Sequence, residues 1–211
     1  MIKIIVNPQA DKGGSRLLWK DIESKIKALG IEYEKIFTEY EKHATHLAWK
    51  AQLEGAKFIF VVGGDGTLSE VVNGVRLEDT ILGILPTGSG NDFAKMIGIR
   101  SLSDGLNSLN SSCKRVVDVG RLNKDKYFVN NLGIGIDAHV VAKQKELKFK
   151  RRSSYLLSTL KIASGFCAFP IEVESSDFRF SGNVLSISDM ALLRNKGHKS
   201  LLWIDLHTQT E

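Results

Sequence analysis

The sequence has few cysteines and no long hydrophobic run, and each absence excludes a class of protein. Its two cysteines, Cys113 and Cys167, have no metal-ligand spacing and no neighbouring cysteine, which excludes a cysteine metal site, and reduced thiols in the cytosol are expected. No run of about 18 apolar residues occurs, so no transmembrane helix is expected. The apolar start ends at Asn7-Pro8 and is too short for a signal peptide. With 43% hydrophobic and 25% charged residues, the chain has the composition of a soluble globular protein.

The net charge of +5 is distributed unevenly. Residues 1–120 carry 15 basic and 15 acidic side chains, whereas residues 121–211 carry 14 basic and 9 acidic ones. Most of the excess lies in one basic segment, which contains Lys143, Lys145, Lys148, Lys150, Arg151 and Arg152. The segment is typical either of an exposed basic loop or of contact with anionic lipid, since each basic residue near such a surface contributes about 1 kcal/mol. Nucleic acid binding is not expected, because no recognised binding module accompanies the charge.

Strand and helix patterns alternate along residues 1–120. The predicted strands are Ile2–Val6, Ile31–Phe37, Phe58–Val62 and Ile81–Leu85. Three helices are predicted between these strands. The first has Leu18, Ile22, Ile26 and Leu29 on its apolar face, and the other two are Glu41–Glu54 and Thr67–Val75. The unbroken apolar run Phe58–Val62 is typical of a parallel strand that is buried on both faces. Residues 1–120 are therefore predicted to form an α/β domain with a mainly parallel sheet.

The pattern changes near residue 115, and residues 121–211 are predicted to form a partial, mostly antiparallel β domain. Val116–Leu122 and Tyr127–Leu132 flank a loop of turn-forming residues, which predicts a β-hairpin. Short strand patterns follow at Ile171–Val173, Phe178–Phe180 and Val184–Ile187, and one helix is predicted at Ser153–Phe166.

Two glycine-rich loops each follow a predicted strand and open a helix. Gly63–Thr67 follows the third strand, and Pro86–Asp92 follows the fourth. Glycines let backbone N–H groups approach an anion, and a helix N-terminus adds a partial positive charge. Since both loops come at carboxyl ends of parallel strands, they are expected at the same edge of the sheet, where α/β proteins bind ligands. A lone loop of this kind would be read as a tight turn, but the pair predicts a phosphate site.

Each loop also contains an aspartate, Asp65 or Asp92, where a bare carboxylate would repel phosphate. A magnesium ion between carboxylate and phosphate would remove the conflict. The alternative is that both aspartates are helix N-caps, a position that Asp favours.

These motifs resemble those of the diacylglycerol kinase catalytic domain family, in its soluble bacterial branch. Gly63-Gly64-Asp65-Gly66-Thr67, with Glu70, Val71, Val72, Asn73 and Gly74, is similar to the family block GGDGTxxEVxNG. Pro86–Ala94 is similar to the block PxGTxNDFA, and Asn7-Pro8 to the opening loop. Val117–Gly120 and Asn130–Ala138 resemble the entry into a second, lipid-facing domain.

The resemblance implies an ATP- and magnesium-dependent kinase that phosphorylates a lipid hydroxyl, typically converting diacylglycerol to phosphatidic acid at the inner membrane face. The implied nucleotide site consists of Asn7, Thr38, Gly63, Gly64, Asp65, Gly66, Thr67, Thr87, Gly88 and Ser89. The implied magnesium site consists of Asp65, Asp92 and Asp118. The resemblance leaves open which lipid is the acceptor.

Two departures from the family qualify this interpretation. Asp11 stands where the family usually has glycine, so an extra carboxylate is expected to weaken phosphate binding unless Lys12 offsets it. After Ser188 the sequence matches none of the family's far end, where a late carboxylate acts as base, and Asp205 and Glu211 are weak replacements. Two alternatives therefore stay open: an inactive, truncated homologue that binds nucleotide, and an enzyme resembling NAD kinase. An incomplete β domain also predicts self-association into homo-oligomers.

Overall fold

The structure is a computed structural model, and it describes residues 1–111, 114–122, 126–146, 165–174, 179–184, 186–190 and 202–203. By internal packing the chain divides into two units. The first consists of Met1–Asn130 with Ala191–His198, and the second of Asn131–Met190 with Lys199–Glu211. The expected domain boundary at residue 120 stays a prediction.

The first unit contains a four-stranded parallel sheet in the order β2-β1-β3-β4. Its strands are β1 (Ile2–Val6), β2 (Tyr33–Phe37), β3 (Phe58–Gly63) and β4 (Ile81–Pro86). The chain goes from β1 outward to β2, and then returns to the other side of β1 for β3 and β4. The order therefore reverses between β1 and β3, which makes the carboxyl ends of these two strands a topological switch point.

Helices cover both faces of this sheet. They are α1 (Gly14–Ala28), α2 (His43–Leu53), α3 (Asp65–Val72), α4 (Asp92–Met96) and α5 (Leu102–Ser108). The side chains of β1 alternate between two core layers, with Ile4 and Val6 packed against α1 and α5, and Ile5 packed against α2, α3 and α4. Burial on both faces explains why β3 is an uninterrupted apolar run.

The predicted helix boundaries needed small corrections, and the apolar face of α1 is wrong in two positions. Ile22 and Ile26 are fully buried, as expected, but Leu18 and Leu29 are each 40% exposed. Trp19 takes a core position instead, with 6% exposure. The helical pattern also predicts a core position for Trp19, and that prediction is confirmed, whereas its neighbour Leu18 faces away from the sheet.

A short antiparallel hairpin completes the described part of the first unit. Its strands are β5 (Gly120–Leu122) and β6 (Lys126–Phe128), so the predicted hairpin is confirmed with shorter strands. The Asn73 side chain pairs with the Tyr127 backbone in both directions, at 2.8 and 2.9 Å, and attaches this hairpin to the end of α3.

The second unit is built from antiparallel pairs, as predicted. Its described elements are β7 (Asn131–Gly135), α6 (Ile136–Glu146), β8 (Phe169–Glu174), β9 (Arg179–Val184), β10 (Ser186–Met190) and β11 (Leu202–Trp203). One sheet has the order β11-β10-β7, and β8 and β9 form a hairpin. The α/β class with a following antiparallel part is thereby confirmed.

Several predictions fall on parts of the chain outside the described residues. They are most of the helix Ser153–Phe166, the basic residues Lys148, Lys150, Arg151 and Arg152, the side chains of Lys143 and Lys145, and the tail residues Asp205 and Glu211. Among the described helices, none is both long and apolar enough to span a bilayer.

Candidate nucleotide and metal site

Asn7 joins the ends of β1 and β3 at the switch point of the sheet. Its backbone N–H donates to the Val62 carbonyl oxygen at 2.9 Å, which continues the strand ladder by one residue. Its side-chain Nδ2 donates to Thr67 Oγ1, also at 2.9 Å, on the first turn of α3. The Asn7 Oδ1 accepts from the Gln9 N–H and so closes a local turn. Asn7 therefore fixes the opening loop against the first glycine-rich loop.

The two glycine-rich loops lie side by side with their backbones in contact. The Thr87 N–H donates to the Gly63 carbonyl oxygen at 2.9 Å, which extends the pairing of β3 and β4 into the loops. A Cβ on Gly88 would lie 2.5 Å from the Cα of Gly64, and a Cβ on Gly64 would lie 3.1 Å from the Cα of Gly88. Two side chains cannot share that space, so both positions need glycine for this approach.

Asn91 shapes the second loop, a role that the sequence motif alone did not predict. Its backbone is in the left-handed region, at φ 55°, where Asn is one of the few tolerated residues. Its Oδ1 accepts from the Gly88 N–H at 3.0 Å, and its Nδ2 donates to the Gly88 carbonyl at 2.6 Å. The Asn91-Asp92 pair in the motif could have indicated this role, because Asn side chains commonly hydrogen-bond to the backbone of their own turn.

Thr38, Thr67 and Thr87 are all buried, with 8%, 5% and 6% exposure. The Thr67 hydroxyl accepts from Asn7, and the Thr87 hydroxyl accepts from Ser15 Oγ at 2.5 Å. Ser15 lies in the first turn of α1 and is fully buried, so it ties that helix to the second loop. Thr38 follows β2, where its N–H donates to the Val6 carbonyl. These threonines hold the loops in place, whereas Gly66 and Ser89 are exposed at the surface of the site.

Asp65 binds the N-terminus of α4 from the neighbouring loop. Its carboxylate accepts from the backbone N–H groups of Asp92 and Phe93 at 3.0 and 2.9 Å, and from Asn130 Nδ2 at 3.0 Å. Burial raises the pKa of this carboxyl, but the two backbone donors and the amide outweigh burial and hold the pKa below its usual range. Asp65 is thus ionised, and it caps α4 rather than its own helix, whose N-cap is Gly64.

Asp92 lies beside Asp65 but is much more accessible. The Oδ2 atoms of Asp65 and Asp92 both lie near Gly90, at 3.2 and 3.5 Å from the position that a Cβ there would take. The Asp92 side chain is 75% exposed and pairs with Lys95 at 3.4 Å. Magnesium is commonly held by one or two carboxylates together with phosphate and water, so this pair fits such an ion.

Asp118 is exposed on the segment before β5. Across the described ranges, no group of three or more His, Cys, Asp or Glu residues is arranged to hold a metal ion. The structure therefore brings Asp65 and Asp92 together without gathering Asp118 into the same cluster.

The likeness to known proteins covers the loops just described. The family model for the diacylglycerol kinase catalytic domain matches residues 1–122. A diacylglycerol kinase of Bacillus subtilis is 28% identical over 191 residues, which are 87% of this chain and 62% of that protein. A diacylglycerol kinase of Staphylococcus haemolyticus is 34% identical over 131 residues, which are 61% of this chain and 39% of that protein.

A solved structure has the same fold. The crystal structure of a diacylglycerol kinase from Bacillus anthracis aligns with a TM-score of 0.68 at 25% identity, covering 90% of this chain and 63% of that one. The chain thus spans less than two thirds of the length of these relatives. The match over residues 1–122 includes both glycine-rich loops, the opening Asn7 and the paired aspartates. The chain belongs to the diacylglycerol kinase catalytic domain family.

Proposed function

We propose that the chain binds ATP with Mg²⁺ at the edge formed by Asn7 and the two glycine-rich loops, and that it supports phosphoryl transfer to a lipid hydroxyl, with diacylglycerol as the expected acceptor. The observation that carries this proposal is the backbone contact of Gly64 with Gly88, just past the ends of β3 and β4 and next to the switch point between β1 and β3. Beside this contact Gly66, Ser89 and Gly90 are exposed, at the carboxyl ends of β3 and β4, where α/β proteins bind phosphate.

The residues of this edge would divide the work of phosphoryl transfer between positioning and charge neutralisation. Gly66 and Ser89, both exposed, would offer backbone and hydroxyl donors to the phosphates. Asp65 and Asp92 would hold magnesium, whose chemical contribution is to neutralise the charge on the transferred phosphoryl group. Asp65 would meanwhile keep α4 and the first loop in register through its bonds to Asp92 and Phe93. Asp118 stays a predicted participant in the water network of the ion.

The acceptor lipid would be presented at a membrane surface. The basic segment at residues 143–152 is the predicted contact with anionic headgroups, since it carries most of the chain's excess positive charge. The diacylglycerol kinases that the chain resembles support a lipid as the acceptor.

A second candidate is nucleotide binding without transfer. The residues proposed for nucleotide and magnesium all lie between Asn7 and Asp118, and none of them is a base for the lipid hydroxyl. Loss of a general base typically lowers a rate by about 10²–10⁴. This candidate predicts measurable ATP affinity with transfer rates lower by that factor than those of a full-length relative.

The test combines ATP calorimetry with a kinase assay on diacylglycerol vesicles, using labelled ATP. NAD serves as an alternative acceptor, and a chimera that carries the C-terminal part of a full-length relative serves as the positive control. Binding with transfer to diacylglycerol supports the main proposal, and binding with transfer only in the chimera supports the second candidate. Transfer to NAD alone, or no ATP binding at all, contradicts the lipid-kinase assignment.

A further inference from the structure

Asp11 has an unusual backbone conformation at the entrance to α1. It lies in the short 3-10 turn Ala10–Gly13, and its φ of 49° is in the left-handed region. Few residues other than glycine adopt that region without cost, although the short polar side chain of Asp tolerates it better than most. Glycine would thus adopt this backbone conformation at less cost, so the geometry of the turn does not account for the carboxylate.

The Asp11 carboxylate reaches across to the second glycine-rich loop. Its Oδ1 accepts a hydrogen bond from Ser89 Oγ at 2.9 Å, although the two residues are 78 positions apart. Its Oδ2 lies 3.5 Å from the position that a Cβ on Gly14 would occupy. Both Asp11 and Ser89 are exposed, so a ligand approaching the loop meets this pair directly.

A serine hydroxyl has a single proton to donate. While Ser89 donates to Asp11, it cannot donate to a phosphate oxygen. A phosphate that approached Ser89 would also come close to the Asp11 carboxylate, and like charges repel strongly at such distances. The Ser89 hydroxyl can therefore bind either the Asp11 carboxylate or a phosphate oxygen, but not both at once.

We propose that the Asp11 carboxylate competes with nucleotide phosphate for the Ser89 hydroxyl, and that Asp11 is thereby an affinity-determining residue of this site. The inference rests on the proposed function, because it needs nucleotide at the glycine-rich loops. Magnesium reduces the charge that the nucleotide presents, so Asp11 penalises metal-free ATP more than the magnesium complex. The residue acts as a built-in selector for the metal-bound nucleotide.

The test compares ATP affinity in the parent, Asp11→Asn and Asp11→Gly, each with excess magnesium and with EDTA. Asp11→Asn keeps a side chain that tolerates the left-handed backbone, whereas Asp11→Gly removes any backbone cost as well. Asp11→Gly removes both the acceptor and the charge, so it should bind ATP about tenfold more tightly than the parent with magnesium, which corresponds to about 1.4 kcal/mol. Asp11→Asn removes the charge but keeps an amide oxygen that can accept from Ser89, so its gain should be smaller. Both gains should be larger in EDTA. Asp21→Asn, an exposed position on α1 with the same change in net charge, should leave both affinities unchanged.

Gly66→Val separates failure of this inference from failure of the proposed site. If Gly66→Val abolishes ATP binding while Asp11→Asn and Asp11→Gly bind like the parent, the site stands and the competition is overturned. An equal gain with magnesium and with EDTA would overturn the selection for metal-bound nucleotide. If ATP binds to neither the parent nor the Asp11 variants, the proposed nucleotide site is wrong and the inference falls with it.

Discussion

The Asp65 carboxylate accepts a hydrogen bond from the Phe93 backbone N–H at 2.9 Å, and this bond joins the first glycine-rich loop to the helix that follows the second. Since the same carboxylate also accepts from the Asp92 N–H, one side chain satisfies two free donors at the start of α4. The loops are therefore positioned by a charge that also lies at the proposed magnesium site. The proposed magnesium site therefore includes a carboxylate that also holds the loops together.

We expect Asp65→Asn to destabilise the first unit by about 1.5–3 kcal/mol at neutral pH, the usual contribution of hydrogen bonds to a charged group. The pKa of Asp65 is lowered in the folded state, so its contribution is complete above about pH 4 and is lost as the pH falls through the folded pKa. Urea unfolding between pH 7 and pH 3 should show the parent approaching the variant in stability at low pH. A constant difference across that range would contradict the role of the ionised carboxylate.

Gly66→Val should weaken ATP binding without lowering stability. A Cβ on Gly66 meets no atom within 4 Å, so the new side chain projects into the space where nucleotide is expected. Isothermal titration should show at least about a tenfold loss of affinity, equivalent to about 1.4 kcal/mol. The midpoint of thermal unfolding should stay the same or rise, because glycine is a poor helix former.

Gly64→Val is the contrasting variant for that prediction. Its Cβ would lie 3.1 Å from the Gly88 backbone, so we expect a loss of about 1–3 kcal/mol in stability from overpacking. Loss of binding in Gly64→Val alone would therefore report on loop packing. If Gly66→Val and the parent bind ATP equally well, the nucleotide does not bind at this loop.

Asp92→Asn should raise the magnesium concentration that is needed for ATP binding. The Asp92 carboxylate is 75% exposed and forms a surface ion pair with Lys95, whereas Asp65 already accepts three hydrogen bonds. A magnesium titration of ATP binding should shift about tenfold, while stability should change by less than about 0.5 kcal/mol, as is usual for surface substitutions. Asp79→Asn, outside the loops, is the matched control. An unshifted titration would assign Asp92 to structure alone.

The basic segment should mediate electrostatic binding to anionic vesicles. Replacing Lys148, Lys150, Arg151 and Arg152 with Gln should reduce sedimentation with phosphatidylserine-containing vesicles, and added salt should reduce it for the parent as well. Salt weakens this binding because screening limits the range of the interaction between surface charges to about 10 Å at 0.1 M. Replacing Lys25 and Lys27 on α1 with Gln is the control, because it shows whether loss of positive charge elsewhere also reduces sedimentation. If the four-residue variant sediments with the vesicles as well as the parent does, the basic segment is not the membrane contact.

The residue pattern predicted the central sheet well because its physical cause is local. Strands buried between two helical layers are typically continuous apolar runs; β3 is one throughout, and β1 is one apart from Lys3. The two glycine-rich loops were also readable, because close approach of backbones requires glycine wherever it occurs. Trp49 shows the limit of periodicity. Its place within a helical pattern predicts a core position, and this prediction is wrong, because Trp49 is 51% exposed on α2.

The sequence by itself determined the alternation of strands and helices, the loops at the strand ends and the family to which the chain belongs. Only the tertiary structure decided the partners of the charged side chains. From sequence, Asp65 was predicted to bind magnesium, with a helix N-cap as the alternative, and no local pattern showed that it accepts from the start of α4. Nor did a local pattern show that the Asp11 carboxylate accepts from Ser89. Lys3, in the middle of an apolar strand, is 1% exposed and pairs with Glu34 and Glu54. These contacts join residues that are far apart in the chain, so the order of strands in the sheet, rather than any local pattern, brings them together.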